Sequence, residues 1–138
     1  MADDGGLSKL QRRFAALPAG VVEAVRPALM DQARTIANTM EQLAPEDEGF
    51  LKASIAVTGP GRRTPAYSQP GGSMTVPENA VAVTVGDHDV RYAHLVEYGT
   101  QQAPAQPYFW PSVRLHRKKA TNGIKSAIRR AVKKGTPA

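Results

Sequence analysis

Two stretches carry side chains that could do chemistry. His94 and Glu97 are three residues apart, a spacing that puts both on one face of a helix, and His88 lies just upstream. A metal centre needs three or four ligands of this kind, held in place by further hydrogen-bonding groups. The favoured expectation is therefore simpler. Glu97 either anchors the turn at Gly99-Thr100 by hydrogen bonds or pairs with a basic residue across a subunit interface. The second stretch, Glu46-Asp47-Glu48, offers adjacent carboxylates, but it reads as a solvated turn where nothing would raise a carboxyl pKa for acid–base work. The chain has no cysteine, which excludes a thiolate metal site, a cysteine nucleophile and a disulfide framework. Gly59-Pro60-Gly61 lacks the lysine and the strand-to-helix context of a phosphate loop, and no serine elbow is present. These residues predict no enzyme, no metal and no cofactor.

The elements that must position these residues can be read from periodicity. Leu7, Leu10, Phe14 and Leu17 form a short helical stripe, so residues 1–18 read as an N-terminal helical extension that Pro18-Ala19-Gly20 interrupts. Val22, Val25, Leu29, Ala33, Ile36, Met40 and Leu43 recur every three or four residues and predict a long helix. Pro27 would either kink that helix or lie near its start, and Pro45 should end it by Ala44. From Leu51 to Val57 the period changes to two, which predicts a half-buried strand opened by a bend at Gly49. Residues 59–78 are rich in glycine and proline and read as a long flexible loop, with a short strand near Ser73–Val76. Val81, Val83 and Val85 mark a clear strand over Ala80–Gly86. Val90–Tyr98 is compatible with strand or short helix. A basic helix is expected over 111–134, with Pro111 in first position and Ser112 or the preceding turn as cap. Asn122-Gly123 should weaken or kink it.

Together these predict one α+β domain over residues 1–138, in which a small antiparallel β-sheet packs against a long N-terminal helix and a C-terminal helix. A sheet with so few strands exposes its edges, which suit joining to other copies. The acidic, polar start is not that of a secretory peptide, and no apolar run long enough to span a membrane occurs.

Charge is distributed unevenly. The net charge is +6, and no acidic side chain follows Glu97, whereas nine of the 18 lysines and arginines do. Lys118, Lys119, Lys125, Arg129, Arg130, Lys133 and Lys134 are candidates to face DNA or an acidic partner, with a solvated basic helix as the bland alternative. Just before that helix, Tyr108-Phe109-Trp110 is flanked by prolines and held extended. These rings could stack on bases, but entry of at least two into the core or a subunit interface is favoured.

Three patterns stand in order: Ala44-Pro45-Glu46-Asp47-Glu48-Gly49-Phe50-Leu51-Lys52-Ala53-Ser54-Ile55, then Tyr92-Ala93-His94-Leu95-Val96-Glu97-Tyr98-Gly99-Thr100, then Ala105-Gln106-Pro107-Tyr108-Phe109-Trp110-Pro111. Over roughly residues 20 to 134 this order resembles the phage tail-component family typified by gene product ten of a lambdoid phage. Three positions depart from its usual pattern: Tyr98 replaces a phenylalanine, Glu48 a threonine, and Tyr108-Phe109-Trp110 a phenylalanine-leucine-arginine. The resemblance implies a virion assembly protein, made in the bacterial cytoplasm, that forms a homo-oligomeric ring, sixfold or twelvefold, at the head–tail junction or tail terminus. Its partners would be copies of itself, neighbouring neck and tail proteins and, in passing, double-stranded DNA, with no membrane partner. Arg62, Arg63, Glu97, Tyr98, Gly99, Tyr108, Phe109 and Trp110 are the candidate interface residues. A small basic nucleic-acid-binding protein is the alternative function.

Overall fold

The computed structural model describes Lys9, Arg12 and residues 17–45 and 49–135. Leu7, Leu10 and Phe14 of the N-terminal stripe, and the Glu46-Asp47-Glu48 turn, lie outside the described residues.

Helix α1 (Ala19–Leu43) starts directly after Pro18 and runs unbroken through Pro27. It stops where Pro45 requires, with Ala44 extended and its N–H returned to the Met40 carbonyl. Pro27 points to solvent, and because it has no N–H its helix forgoes one hydrogen bond. The buried stripe is Val25, Leu29, Ala33, Ala37 and Met40, whereas Leu43 is left largely exposed.

The strand expected over Leu51–Val57 is replaced in its first half by a helical turn, α2 (Phe50–Ala53), entered through Gly49 in the left-handed region. Only Ala56–Thr58 is extended, as β1. Apolar alternation fits one turn of helix as well as two pleats of strand, and the serine decides between them. Ser54 is buried, donates to the Leu51 carbonyl at 2.7 Å and accepts the Gly86 N–H at 3.0 Å. That pair of bonds closes the helical turn and ties it to the end of the second strand.

Strand β2 (Ala82–Thr84) pairs antiparallel with β1, with Val57 opposite Val83. The 59–78 segment between them folds back on itself. Arg63 bridges Thr75, the Gly61 N–H donates to the Val76 carbonyl while the Val76 N–H donates to the Arg62 carbonyl, and Gln69 pairs with Val85 beyond the end of β2. The Val90–Tyr98 ambiguity resolves to a short helix, α3 (Ala93–Tyr98). Helix α4 (Phe109–Gly135) then runs through Asn122-Gly123 without interruption.

The two long helices lie antiparallel: Val25 and Leu29 pack with Ile124 and Ala127, Gln32 meets Gly123, and Thr39 bonds His116. Gly123 lies at this contact: a β-carbon there would stand 2.6 Å from the Gln32 side-chain nitrogen, the far end of a flexible side chain that would have to swing aside. A second core joins Met40, Ala44 and Leu51 to Val85, Val90, Ala93, Tyr108 and Phe109. It brings the end of α1, the sheet, α3 and the start of α4 together. The fold is α+β, with the small sheet against the helix pair.

Candidate functional site

The corner where α3 meets the start of α4 is organised by Glu97. Its side chain is buried, 7% exposed. One carboxylate oxygen accepts the Tyr108 N–H at 2.9 Å and the Phe109 N–H at 2.8 Å, and the other accepts the Trp110 N–H at 3.2 Å. These are among the backbone donors that a helix start leaves without an intrahelical acceptor. A carboxylate there also meets the positive end of the helix dipole. Pro111 has no N–H to satisfy, and Ser112 turns its hydroxyl back to the Tyr108 carbonyl at 2.6 Å. The cap expected of Ser112 is therefore supplied by a residue in a different helix.

The role expected for Glu97 at Gly99-Thr100 belongs instead to Thr100, whose hydroxyl oxygen accepts the Gln102 and Ala103 N–H groups. Gly99 ends α3 at φ +78, and a β-carbon there would strike the Ala105 nitrogen at 2.7 Å. The returning strap is pinned by the Gln106 N–H on the Val96 carbonyl at 2.8 Å. The chain thus reverses tightly enough to bring Tyr108 onto α3.

The three rings then divide. Tyr108 is fully buried and donates to the Ala93 carbonyl at 3.2 Å, and Phe109 enters the same core. Burial above all, and the nearby Glu97 and Tyr92 charges, push the Tyr108 phenol well above its ordinary pKa. Trp110 stays partly exposed. It packs edge-on against Phe109 and its indole N–H donates to the Tyr98 hydroxyl at 2.7 Å. Tyr98 is 67% exposed. Two rings therefore serve the core, and the third stands outside in a fixed pose with Tyr98.

The surface beside this pair is shallow. A cleft of about 50 Å³ is lined by Gln69, Pro70, His94, Tyr98 and Trp110, with Glu97 at its floor. Pockets for small molecules hold several hundred cubic ångströms. His94 is exposed, whereas the Glu97 carboxylate is occupied by backbone donors. Among the described residues no three His, Asp or Glu side chains are grouped to hold a metal ion. His88 lies elsewhere, in an exposed turn beside Asp89. A broader open depression of about 500 Å³ lies between the start of α1 and Glu78-Asn79, bordered by the Arg26–Glu78 ion pair at 2.7 Å.

The structure gathers Glu97, Tyr98, Gly99, Tyr108, Phe109 and Trp110 at one corner. Arg62 and Arg63 are exposed on the 59–78 segment, where Arg63 bonds the Ser73 hydroxyl at 2.9 Å; among the described residues no hydrogen bond links them to that corner. Lys118, Lys119, Lys125, Arg129, Arg130, Lys133 and Lys134 all lie on the exposed side of α4. One grouping escaped sequence reading. Tyr67 has a left-handed φ of +62, is about half exposed, and lies under the Arg91 guanidinium at 3.8 Å. The nearest available signal was the glycine- and proline-rich turn around it.

The model of the family described as "Bacteriophage HK97-gp10, putative tail-component" matches residues 8–99. The chain belongs to this family. No curated protein and no solved structure matches it. The family region covers α1, the sheet and α3 and ends at Gly99, so the third sequence pattern and α4 lie beyond it. Glu97 crosses that boundary, since the carboxylate lies inside the matched region and all three donors outside. The family is one of bacteriophage tail components, which makes this chain a phage tail-related structural protein. No helix among the described residues is long and apolar enough to cross a membrane.

Proposed function

We propose that this chain is a ring-forming subunit at the head–tail junction or tail terminus of a tailed phage or prophage-derived particle, that it resides in the virion, and that it acts by assembly rather than by catalysis. The observation that carries this reading is the Tyr98–Trp110 pair. Two large aromatic side chains are displayed on the surface yet held rigidly, by their mutual hydrogen bond and by the carboxylate that fixes the Trp110 backbone. Tyrosine and tryptophan are the residue types enriched at the energetic centres of protein interfaces, and a rigid ring loses little entropy on docking. Leu95, on α3, is also half exposed and lengthens the apolar surface. Family membership supplies the setting.

The partner of this corner is a neighbouring copy, meeting it through a different surface, because heterologous contacts close into rings. Native mass spectrometry of the purified protein, alone and with neck or tail proteins, tests the reading. The expected result is a discrete ring mass that does not change with concentration and that Trp110→Ala with Tyr98→Ala dissociates. A strict monomer at every concentration, even with those partners present, would overturn it.

A further inference from the structure

We infer that the exposed face of α4 binds the phosphate backbone of duplex DNA without reading its sequence. At about 100° per residue, Arg114, Lys118, Lys125 and Arg129 fall within about 60° of one another around the helix. All four are exposed, on the side away from the Ala120, Ile124 and Ala127 stripe that packs on α1. At a rise of about 1.5 Å per residue they span about 22 Å of a single rigid rod. Duplex DNA presents one negative charge per about 1.7 Å of its axis, so such a rod meets phosphate along its whole length. Lys119, Arg130 and Lys133 flank the row.

Two features favour a polyanion over ordinary surface charge. Soluble surfaces intersperse the two signs, whereas α4 contains no acidic residue at all. Among the described residues no carboxylate pairs with Arg114, Lys118, Lys125 or Arg129.

Composition also separates the possible polyanions. Lysine is depleted at protein–protein interfaces, yet it supplies half of the central row and most of its flanks, which argues against an acidic protein. Single strands are held by aromatic platforms interleaved with positive charge. Here Tyr108 and Phe109 are buried, Trp110 is engaged with Tyr98, and no aromatic residue follows within α4. A duplex backbone remains.

DNA binding by α4 requires no ring, so a monomeric protein would be an equally valid sample. The test is fluorescence anisotropy of the full chain with a labelled random duplex, the matching single strand and polyglutamate as competitors. With about four phosphate contacts, log affinity should fall with log salt at a slope of about −3.6, a loss of about a hundredfold between 50 and 200 mM. Lys118→Gln, Lys125→Gln and Arg129→Gln together keep good helix formers and should reduce the slope to about −1. Arg34→Gln, an exposed position on α1, should leave it unchanged. The inference is overturned by absence of duplex binding at low salt, by preference for the single strand, by polyglutamate competing on equal terms, or by a slope that the triple variant does not change.

Discussion

The two cores of this protein are built on different principles. Between α1 and α4, Val25, Leu29, Ile124 and Ala127 interlock as two helical stripes, a mainly apolar contact with one hydrogen bond, Thr39 to His116, and one close approach at Gly123. Around Tyr108 and Phe109, five separate pieces of chain converge, and a buried carboxylate fixes where the last one begins. The first core depends on area removed from water and should tolerate change in proportion to volume lost. The second depends on a few directed bonds, so its response to substitution should be steep and local. That contrast also fits the division of labour, with a plain scaffold on one side and a precisely oriented aromatic corner on the other.

The largest expected effect breaks the contrast at its polar end. Glu97→Ala removes the acceptor for three backbone donors in a buried setting and should cost about 4 kcal/mol, given about 1.5–3 for each hydrogen bond to a charged group and incomplete additivity. Glu97→Gln, which keeps shape but loses charge, should cost about half that. Urea unfolding measures both, and hydrogen exchange should show protection lost first at Tyr108–Trp110. A cost below about 1 kcal/mol for the alanine variant would mean that water replaces the carboxylate without penalty.

Next comes Ile124→Ala in the helix pair, expected to cost about 3 kcal/mol as a simple cavity, within the usual range for such truncations. Here exchange protection should decline along both helices together. A localised loss confined to α4 would remove the distinction between the two cores.

Smaller effects sharpen it. Tyr108→Phe deletes the hydrogen bond to Ala93 and should cost about 1 kcal/mol near neutral pH. Its sign should then reverse in alkali. The folded-state phenol pKa is raised by burial and by Glu97 and Tyr92, so the native state favours the neutral ring. The stabilisation this gives is complete below the unfolded value of about 10 and is lost as pH rises above it. Phenylalanine does not ionise, so the variant should become the more stable protein above about pH 10.7, where the parent chain has lost the same ~1 kcal/mol. Chemical denaturation at several pH values checks this.

The smallest is a pair of changes at the helix contact. Gly123→Ala should gain up to about 1 kcal/mol of helix propensity, less the cost of swinging the Gln32 amide aside. With Gln32→Ala as well, the gain should reappear in a double-mutant cycle. Additive behaviour would show that the contact does not determine the glycine.

Much of the scaffold was legible from the chain. The periods of α1 and α4, the stop at Pro45 and the valine strand all follow from local pattern. The strand expected over Leu51–Val57 failed in its first half because four alternating apolar residues carry too little information to fix where it begins. The deciding group was the Ser54 hydroxyl, whose partner Gly86 is far away in sequence. The hydrogen bonds expected of Glu97 at Gly99-Thr100 go instead to the Tyr108, Phe109 and Trp110 N–H groups, since nothing local shows that the chain will double back after Gly99 and present them to it.

Composition and periodicity by themselves determined that this chain makes two amphipathic helices with a small sheet between them, and that the last helix carries unrelieved positive charge. Those properties depend on residues within a few positions of one another. Only the tertiary structure decided which ring of Tyr108-Phe109-Trp110 faces outward, what caps α4, and that Gly123 is a point of contact rather than a weakness. Each of those depends on a hydrogen bond or a close approach between distant segments, whose geometry exists only once the chain has closed.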